Sequence, residues 1–281
     1  MRLLNGKEVA QNIKDKVKQE IAVLNAAGKS VTLTVIQVGD NPASSVYVKQ
    51  KENACSYCGI ESEILKLPED TTQKALLELI EDLNEDINID GILVQLPLPE
   101  HIDEYAVIQA INPDKDVDGF HEMNVGKLMV GEDTFVPCTA AGIIRILDYY
   151  DIEIEGNDCV VVGRSNIVGK PVAMELLKRN GTVEICHSKT DDLRAHTIAA
   201  DILICAVGKP KFFDDRHISP GTVVIDVGIH RLADGTLCGD VNFNDVKDMD
   251  ISITPVPGGV GAMTVAMLME NCVKAAKMRI E

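Results

Sequence analysis

Short runs of β-branched and apolar residues alternate with stretches of helical periodicity along most of this chain. Two of these runs are VTLTVIQVG (31–39) and GILVQLPLP (91–99), and DCVVVG, TVEICH, DILICAVG and GTVVIDVGI follow later in the sequence. Each is bounded by turn-forming residues and is short enough to be a buried strand. Strands that alternate with helices form parallel sheets whose faces are covered by those helices. The sequence therefore predicts an α/β fold.

The intervening helices are indicated by apolar spacing and by residues typical of helix ends. Residues 6–27 carry apolar side chains at helical intervals and are followed by Gly28. Asn41 is placed as an N-cap, with Pro42 at the first helical position and Gly59 after the last. Further helices are predicted around 71–86, 103–111, 141–149, 190–199 and 264–279.

The alternation restarts near residue 140, which predicts two domains in a chain of 281 residues. We expect a domain formed by residues 1–138 and the C-terminal helix 264–281, and a second domain of residues 139–263. Each is expected to be an α/β lobe, with a cleft between the two. The second is predicted to be Rossmann-like, with a doubly wound parallel sheet.

Charge and composition indicate which classes of molecule the protein binds and in which cellular compartment it is found. With 27 Lys and Arg against 44 Asp and Glu, the net charge is −17, which disfavours nucleic acid and anionic membranes as partners. The start of the chain turns polar too early for a signal peptide, and no apolar run is long enough to span a membrane. The eight cysteines lie scattered in apolar segments, as in reduced proteins. A cytoplasmic protein with a small-molecule ligand is predicted.

The segment Gly163-Arg-Ser-Asn-Ile-Val-Gly169 follows a predicted strand and opens a helix, which is the context of a dinucleotide pyrophosphate site. It departs from G-x-G-x-x-G, because Ser165 replaces the second glycine and the last glycine comes one residue late. Taken alone, such a turn can be purely structural. The next strand ends in Cys-His-Ser188-Lys, without the acidic residue that an NAD site usually places there. Together with Arg164 this favours NADP, although a polar strand end before a helix cap would look the same.

A second set of candidate residues lies in the first half. Ser44, Tyr47 and Lys51 have the spacing of one helix face, and such a lysine can take part in proton transfer within a closed site. An ordinary surface Tyr–Lys pair has the same spacing. Gln95 is an amide in an otherwise apolar strand, so it must contact either nearby backbone or a ligand. Pro97 follows at the carboxyl end of that strand, where parallel sheets bind ligands.

No metal site and no serine or cysteine nucleophile is predicted. Asp114, Asp116 and Asp118 resemble a calcium loop, but the required glutamate does not follow. The Cys55-x-x-Cys58 pair has no second pair at zinc spacing, and H-E-x-x-H and G-x-S-x-G are absent from the sequence. Cys138 begins a helix, where a thiol can be activated, but the interpretation as a plain N-terminal residue is favoured.

Several motifs in one order make the chain resemble the bifunctional methylenetetrahydrofolate dehydrogenase/methenyltetrahydrofolate cyclohydrolase family over nearly its whole length. The motifs are S-x-x-Y-V-x-x-K (44–51), GILVQLPLP (91–99), PDKDVDGFHEMNVGKL (113–128), VPCT (136–139), VVVGRSNIVGKP (160–171), CHSKT (186–190) and TPVPGGVGAMTVAML (254–268). The resemblance implies NADP-dependent oxidation of 5,10-methylenetetrahydrofolate, hydrolysis of the methenyl product to 10-formyltetrahydrofolate, and a homodimer.

The resemblance also implies roles for individual residues. Lys51 corresponds to the catalytic lysine, positioned by Tyr47 and Gln95, and Asp118 to the carboxylate that anchors the pterin. The implied substrate contacts are Ser44, Tyr47, Gln95, Leu96, Pro97, Asp118, Pro257, Gly258 and Gly259. The implied cofactor contacts are Gly163, Arg164, Ser165, Val168, Ser188 and Ile229.

Three residues depart from the family pattern, and two other classes of protein stay open. Ala140 and Ala262 stand where proline is common and are expected to loosen a loop, and His230 replaces an asparagine near the expected nicotinamide side. A shikimate or amino-acid dehydrogenase with the same two-lobed layout is one alternative, and a catalytically silent ligand-binding homologue is the other.

Overall fold

A computed structural model describes residues 1–279, apart from the side chain of Ala43. In chain order the first elements are β1 (Arg2–Leu3), α1 (Gly6–Ala26), β2 (Thr32–Val38), α2 (Pro42–Cys58), β3 (Glu61–Leu67), α3 (Gln73–Glu85), β4 (Gly91–Val94), α4 (Glu104–Ala110), α5 (Glu122–Val130) and α6 (Cys138–Tyr149). They are followed by β5 (Asp158–Val162), α7 (Gly169–Lys178), β6 (Thr182–Cys186), α8 (Leu193–Thr197), β7 (Ile202–Cys205), β8 (Val223–Asp226), β9 (His230–Arg231), β10 (Leu237–Cys238), α9 (Phe243–Val246), β11 (Ser252–Ile253) and α10 (Val260–Met278).

The chain divides into two compact units. One, called here the three-strand unit, consists of Gln11–Val136 and the chain from Val265 on; the other, the six-strand unit, consists of Met1–Ala10 and Pro137–Thr264. The first ten residues differ from the predicted division, which placed them in the first domain. They belong to the six-strand unit because Arg2 and Leu3 pair with Ser252 and Ile253 of β11.

The three-strand unit is built on a parallel sheet in the order β3-β2-β4. Its central strand β2 is buried over all but its first residue, as expected for a strand covered on both faces. The apolar side of α3 packs on this sheet through Leu76, Ile80 and Leu83. Helix α10 contacts the unit through Asn271, whose Nδ2 donates to the carbonyl of Val117 over 2.8 Å.

The six-strand unit has a fully parallel sheet in the order β1-β11-β8-β7-β5-β6. The chain leaves β5 for β6 on one side and then returns to β7 on the other, so the winding reverses between β5 and β7. Ligands of doubly wound sheets bind at the carboxyl ends of the strands at such a point. The predicted α/β class and the Rossmann-like sheet are confirmed.

Several boundaries differ from the prediction. The strand expected over 91–99 ends at Val94, because Pro97 and Pro99 have no N–H for a sheet ladder. The last helix begins at Val260 instead of 264, since the helix-breaking prolines all precede it. Helix α5, the short strands β1 and β11 and the β9–β10 hairpin lie outside the predicted elements. Within the described residues, every helix is too short or too polar to cross a lipid bilayer.

Candidate active site

Helix α2 carries a buried lysine, Lys51, whose Nζ donates to Oε1 of Gln95 over 3.0 Å. Gln95 directly follows β4, and its backbone N–H donates to the carbonyl of Ile36 on the neighbouring strand over 2.8 Å. Its Nε2 donates to the carbonyl of Leu96 over 2.6 Å. The amide is thereby fixed at both ends with its oxygen turned toward the lysine. The polar residue that interrupts the apolar run thus contacts both nearby backbone and Lys51.

Ser44 and Tyr47 lie on the same helix and differ in their surroundings. The backbone N–H of Ser44 donates to Oδ1 of Asn41 over 3.3 Å at the start of α2. The Ser44 side chain is buried, and its Oγ has no hydrogen-bond partner within the described residues. Such hydroxyls are rare in folded proteins and call for a missing water or ligand. Tyr47 is 41% exposed, and among the described contacts its hydroxyl makes no hydrogen bond to Lys51.

Leu96, Pro97 and Asp118 lie near the carboxyl end of β4. Leu96 is joined to Pro97 by a cis peptide bond, and Pro97 is exposed. Asp118 is half-buried and lines one small pocket together with Leu96 and Phe120. The structure therefore brings Asp118 into the same pocket as Leu96, which directly follows Gln95 in the chain.

The loop that carries Asp118 is held from inside by Asp116, which the sequence did not single out as functional. Oδ1 of Asp116 accepts the N–H of Gly119 over 3.2 Å, and Oδ2 accepts the N–H of His121 over 2.8 Å and Nδ2 of Asn124 over 2.9 Å. Burial raises the pKa of Asp116. Its side chain thus serves the loop rather than a calcium site. The sequence signal that could have pointed to this role was the position of Asp116, two residues before Asp118.

In the six-strand unit, the turn after β5 folds tightly on itself. Gly163 has φ +145°, and its N–H donates to the carbonyl of Cys186 over 2.9 Å. A Cβ at Gly163 would lie 2.3 Å from the carbonyl oxygen of Ala206, so only glycine fits there. Ser165 Oγ accepts the N–H groups of Val168 and Gly169 over 3.1 and 3.3 Å. Ser165 therefore closes the turn that leads into α7, whose N-cap is Val168, and this explains a serine in the place of a second glycine.

Exposed polar and basic side chains surround this turn and the end of β6. Arg164 and Ser165 are exposed, as are Ser188 and Lys189 after the neighbouring strand. The loop after β6 is fixed by its own contacts, in which the N–H of His187 donates to Oγ1 of Thr190 over 2.9 Å. The positive side chains stand at the switch point of an otherwise acidic chain.

The remaining predicted residues of this unit lie near the start of α10. The carbonyl of Gly258 accepts the N–H of Lys7 over 3.1 Å, and a Cβ at Gly6 would lie 2.2 Å from the carbonyl oxygen of Gly259. Pro257, which precedes them, is exposed and follows a cis peptide bond. Ile229 is 41% exposed, and its Cδ1 would lie 2.8 Å from a Cβ at Gly261.

Two buried carboxylates, Asp226 at the end of β8 and Asp240 after β10, were missed by the sequence reasoning. Asp226 accepts the backbone N–H groups of Gly228, Asp240 and Val241 at 2.8–3.1 Å, and burial raises its pKa to about 7. Asp240 accepts the N–H groups of 207–209 and contacts Nε2 of His230 at 2.8 Å. These two carboxylates join the hairpin to the loop after β7.

The three departures from the family pattern are now placed. His230 takes part in the Asp240 network. Ala140 and Ala262 were expected to loosen loops, and this is wrong, because each is the third residue of a helix, α6 and α10 respectively. Alanine is the most favourable residue within a helix, so neither substitution loosens the backbone there.

Two family models cover most of the chain. Residues 4–118 match the tetrahydrofolate dehydrogenase/cyclohydrolase catalytic domain, and residues 137–280 match the NAD(P)-binding domain of the same family. The chain belongs to the tetrahydrofolate dehydrogenase/cyclohydrolase family. A relative from Lachnoclostridium phytofermentans named bifunctional protein FolD is 56% identical over 275 residues, which is 98% of each chain.

Solved structures of family members agree over the full length. The bifunctional FolD enzyme of Campylobacter jejuni matches with a TM-score of 0.97 at 48% identity, over 99% of both chains. The Trypanosoma brucei FolD enzyme, solved with NADP and an inhibitor, matches with a TM-score of 0.94 at 37% identity, over 99% of this chain and 98% of that one. A shikimate dehydrogenase from Thermus thermophilus shares the fold alone, at a TM-score of 0.53 and 13% identity.

Proposed function

We propose that this protein is a bifunctional enzyme that oxidises 5,10-methylenetetrahydrofolate to 5,10-methenyltetrahydrofolate with NADP and hydrolyses that product to 10-formyltetrahydrofolate. Family membership over both domains supports the two activities. The observation that carries the proposal is the buried Lys51, whose Nζ is held by Gln95 at 3.0 Å. A shikimate or amino-acid dehydrogenase is not favoured, because the likeness to that class is one of fold alone.

The residues of the six-strand unit fit an NADP molecule. The closed turn from Gly163 to Gly169 leads into helix α7 at the switch point of the sheet, where a pyrophosphate is stabilised by the helix N-terminus. Arg164 and Ser188 are exposed beside it and would hold the 2′-phosphate that distinguishes NADP from NAD. We propose Gly163, Arg164, Ser165, Val168, Ser188 and Ile229 as the cofactor contacts.

In the three-strand unit we propose that Lys51, Tyr47, Gln95 and Asp118 act on the folate. Ser44, Leu96 and Pro97 would complete the folate-binding surface of this unit. Pro257, Gly258 and Gly259 are proposed as folate contacts from the family resemblance alone. The unpartnered Oγ of Ser44 supports this placement, since a bound ligand would supply the missing hydrogen bond. Asp118, fixed in its loop by Asp116, would accept hydrogen bonds from the amino group of the pterin.

The dehydrogenase step moves a hydride from the one-carbon bridge of the substrate to the nicotinamide ring, which is the chemistry that NADP supplies when it is bound. The lone pair of the substrate's own nitrogen stabilises the cation that forms, so a protein base is not required. The protein's contribution is then alignment of the substrate, and orientation of reactants can account for about 7–11 kcal/mol of a barrier. Gln95 and Asp118 are the residues proposed to supply it.

The cyclohydrolase step requires proton transfer as well as alignment. Water adds to the methenyl carbon and loses one proton, which leaves a hydroxyl group on that carbon. The bond from the carbon to one ring nitrogen then breaks as the nitrogen takes up a proton and the hydroxyl loses its own to form the formyl carbonyl, so one proton is released overall. Lys51 is the group in this set that is able to carry that proton, because Gln95 offers Nζ an acceptor and leaves its other positions for substrate and water. Tyr47 shares the helix face and is proposed to order the substrate beside the amine.

A coupled absorbance assay on the purified protein tests both activities. Methylenetetrahydrofolate is supplied with NADP or with NAD, and reduced nucleotide is followed together with the methenyl product. We expect reduced NADP to appear with little accumulation of methenyltetrahydrofolate. Stoichiometric methenyl accumulation would contradict the hydrolase activity, and the absence of nucleotide reduction with either cofactor would favour the ligand-binding alternative.

We also propose a homodimer in the cytoplasm, from the family resemblance and the composition. In the described residues the cysteines are free thiols, and all except Cys238 are buried, as in a reducing compartment. The net charge of −17 supports a small-molecule partner in preference to nucleic acid or membrane. Sedimentation of the purified chain tests the dimer.

A further inference from the structure

Three side chains of the six-strand unit that have no part in the proposed function converge at the edge of its sheet. Glu184 and Cys186 are two positions apart on β6, the edge strand, so their side chains point to the same face of the sheet. His196 of helix α8 lies over that face, with Nδ1 at 2.7 Å from Oε1 of Glu184. One ligand atom from each of the three side chains lies within 4.8 Å of the other two.

The three donors form a set that suits one class of ion. A thiolate, an imidazole and a carboxylate are the ligands of Zn²⁺, whereas Mg²⁺ and Ca²⁺ prefer oxygen donors alone. With a neutral imidazole, the thiolate and carboxylate would balance the two positive charges of the ion. Zinc binds sulfur at about 2.3 Å and nitrogen or oxygen at about 2.0–2.2 Å, so ligand atoms of a tetrahedral site lie roughly 3.3–3.8 Å apart. Small side-chain rotations of Glu184 and His196 would reach that spacing.

Burial and access are consistent with binding from solution. The thiol of Cys186 is buried, while the side chains of His196 and Glu184 are 33% and 51% exposed. An ion can therefore enter between the two exposed ligands and reach the sulfur behind them, and water can fill the fourth position. As the metal–sulfur bond forms, the thiol proton is released to solvent.

We propose that Glu184, Cys186 and His196 form a binding site for a thiophilic divalent cation, with Zn²⁺ as its ligand. The site is separate from the proposed folate residues and does not depend on the proposed activities. It departs from the sequence prediction of no metal site, because neither Cys-x-x-Cys nor His-x-x-His spacing is involved. Its donors come from a strand and from a helix that begins only after an intervening loop.

Cobalt titration of the reduced, metal-free full chain tests the proposal. We expect one equivalent of Co²⁺ to produce the near-ultraviolet absorption of a cobalt–thiolate bond, and Zn²⁺, but not Mg²⁺, to remove it. Cys186→Ser should abolish this band. Loss of an outer-shell partner alone often costs about 10–100-fold in metal affinity, so His196→Asn and Glu184→Gln should each weaken binding at least about tenfold.

Matched variants make the result decisive. Cys159→Ser replaces a buried cysteine on the adjacent strand β5 and should leave the band unchanged. His196 and Glu184 are partly exposed, so their variants decide the question even where Cys186→Ser fails to fold. A band that survives in Cys186→Ser, unaltered affinity in both other variants, or the lack of any band in the unmodified protein would overturn the proposal. Loss of the band in Cys58→Ser, with the band retained in Cys186→Ser, would also overturn the proposal.

Discussion

Nζ of Lys51 donates to Oε1 of Gln95 over 3.0 Å, and this single bond joins helix α2 to the residue that follows strand β4. The two residues are 44 positions apart in the chain. Each is unusual in its own element, since one is a buried lysine and the other an amide at the end of an apolar run. Their contact gives the buried amine a fixed direction, and the first two predictions depend on it.

Replacement of Lys51 by methionine should separate the two activities. The substitution keeps the length of the side chain and removes the group proposed to carry a proton, so the cyclohydrolase rate should fall about 100-fold or more. The dehydrogenase step needs no protein base and should fall by a much smaller factor. Single-turnover assays of each step measure this, with Lys49→Met on the same helix as an exposed control. Equal loss of both rates in a folded variant would contradict the proposed division of roles.

Gln95→Met should lower kcat of the cyclohydrolase more than it changes KM for the folate. It removes the acceptor that directs the lysine, and a hydrogen bond to a charged group is worth about 1.5–3 kcal/mol, or roughly 10–100-fold in rate. Gln95→Glu retains an oxygen toward Lys51 and should recover part of the rate. If methionine and glutamate variants have the same activity, Gln95 does not act through Lys51.

Arg164→Ala should weaken the binding of NADP much more than the binding of NAD. A guanidinium that binds the 2′-phosphate contributes a charge-assisted hydrogen bond, so KM for NADP should rise about 10–100-fold while KM for NAD changes little. Steady-state kinetics with both nucleotides give the comparison. Lys178→Ala, at the far end of helix α7, controls for the loss of a positive charge. An unaltered preference in the Arg164 variant would refute the 2′-phosphate assignment.

Gly163→Ala should destabilise the protein, because its Cβ would lie 2.3 Å from the carbonyl oxygen of Ala206. Overpacking of this kind costs about 1–3 kcal/mol of unfolding free energy. Gly126→Ala is the matched control, since its Cβ would meet no atom within 4 Å and helix α5 gains about 0.5–1 kcal/mol from alanine. Urea unfolding of both variants measures the two changes, and equal effects would contradict the steric argument.

The pH dependence of stability should differ between the unmodified protein and Asp226→Asn. Burial raises the pKa of Asp226 to about 7, against about 3.9 in an unfolded chain, so the native state holds a proton that the unfolded state has lost between these values. The contribution of Asp226 to unfolding free energy should therefore be greatest below pH 4, fall by roughly 1 kcal/mol per pH unit up to pH 7, and then level off.

Urea unfolding at several pH values measures this contribution as the difference between the two proteins. Asp201→Asn is the control, because Asp201 is an exposed carboxylate that also accepts a backbone N–H, that of Asp158. Parallel profiles for the unmodified protein and Asp226→Asn would show that Asp226 holds no extra proton in the native state.

The fold was predictable where residues signal their own structure. The apolar strands β2 and β5 and the ends of α2 follow from local patterns, such as the N-cap Asn41 and the left-handed Gly59. Strands of two residues, such as β1 and β11, carry no period that could be read. Their pairing is set by the sheet, and the assignment of residues 1–10 to the six-strand unit followed from it.

The candidate site was predictable to the extent that a residue was out of character for its element. Lys51 and Gln95 met that criterion, and the contact between them supports the roles proposed for them. Asp116, Asp226 and Asp240 did not, because aspartates are common in loops and the backbone N–H groups they accept come together only when those loops meet. The same holds for Glu184 and His196, which sheet and helix packing alone bring to Cys186.

Strand β1 has a consequence for the order of folding during synthesis. Arg2 pairs with Ser252, so β1 leaves the ribosome long before the strand with which it pairs. At about 5–20 residues per second, roughly 12–50 s pass between the appearance of the two. Until β11 has been made, β1 has no strand with which to pair. Once β11 has joined the sheet, β1 is available at once to cover its free edge. An extension fused ahead of Met1 would therefore be displayed throughout translation and would slow the last pairing step more than the folding of the other strands.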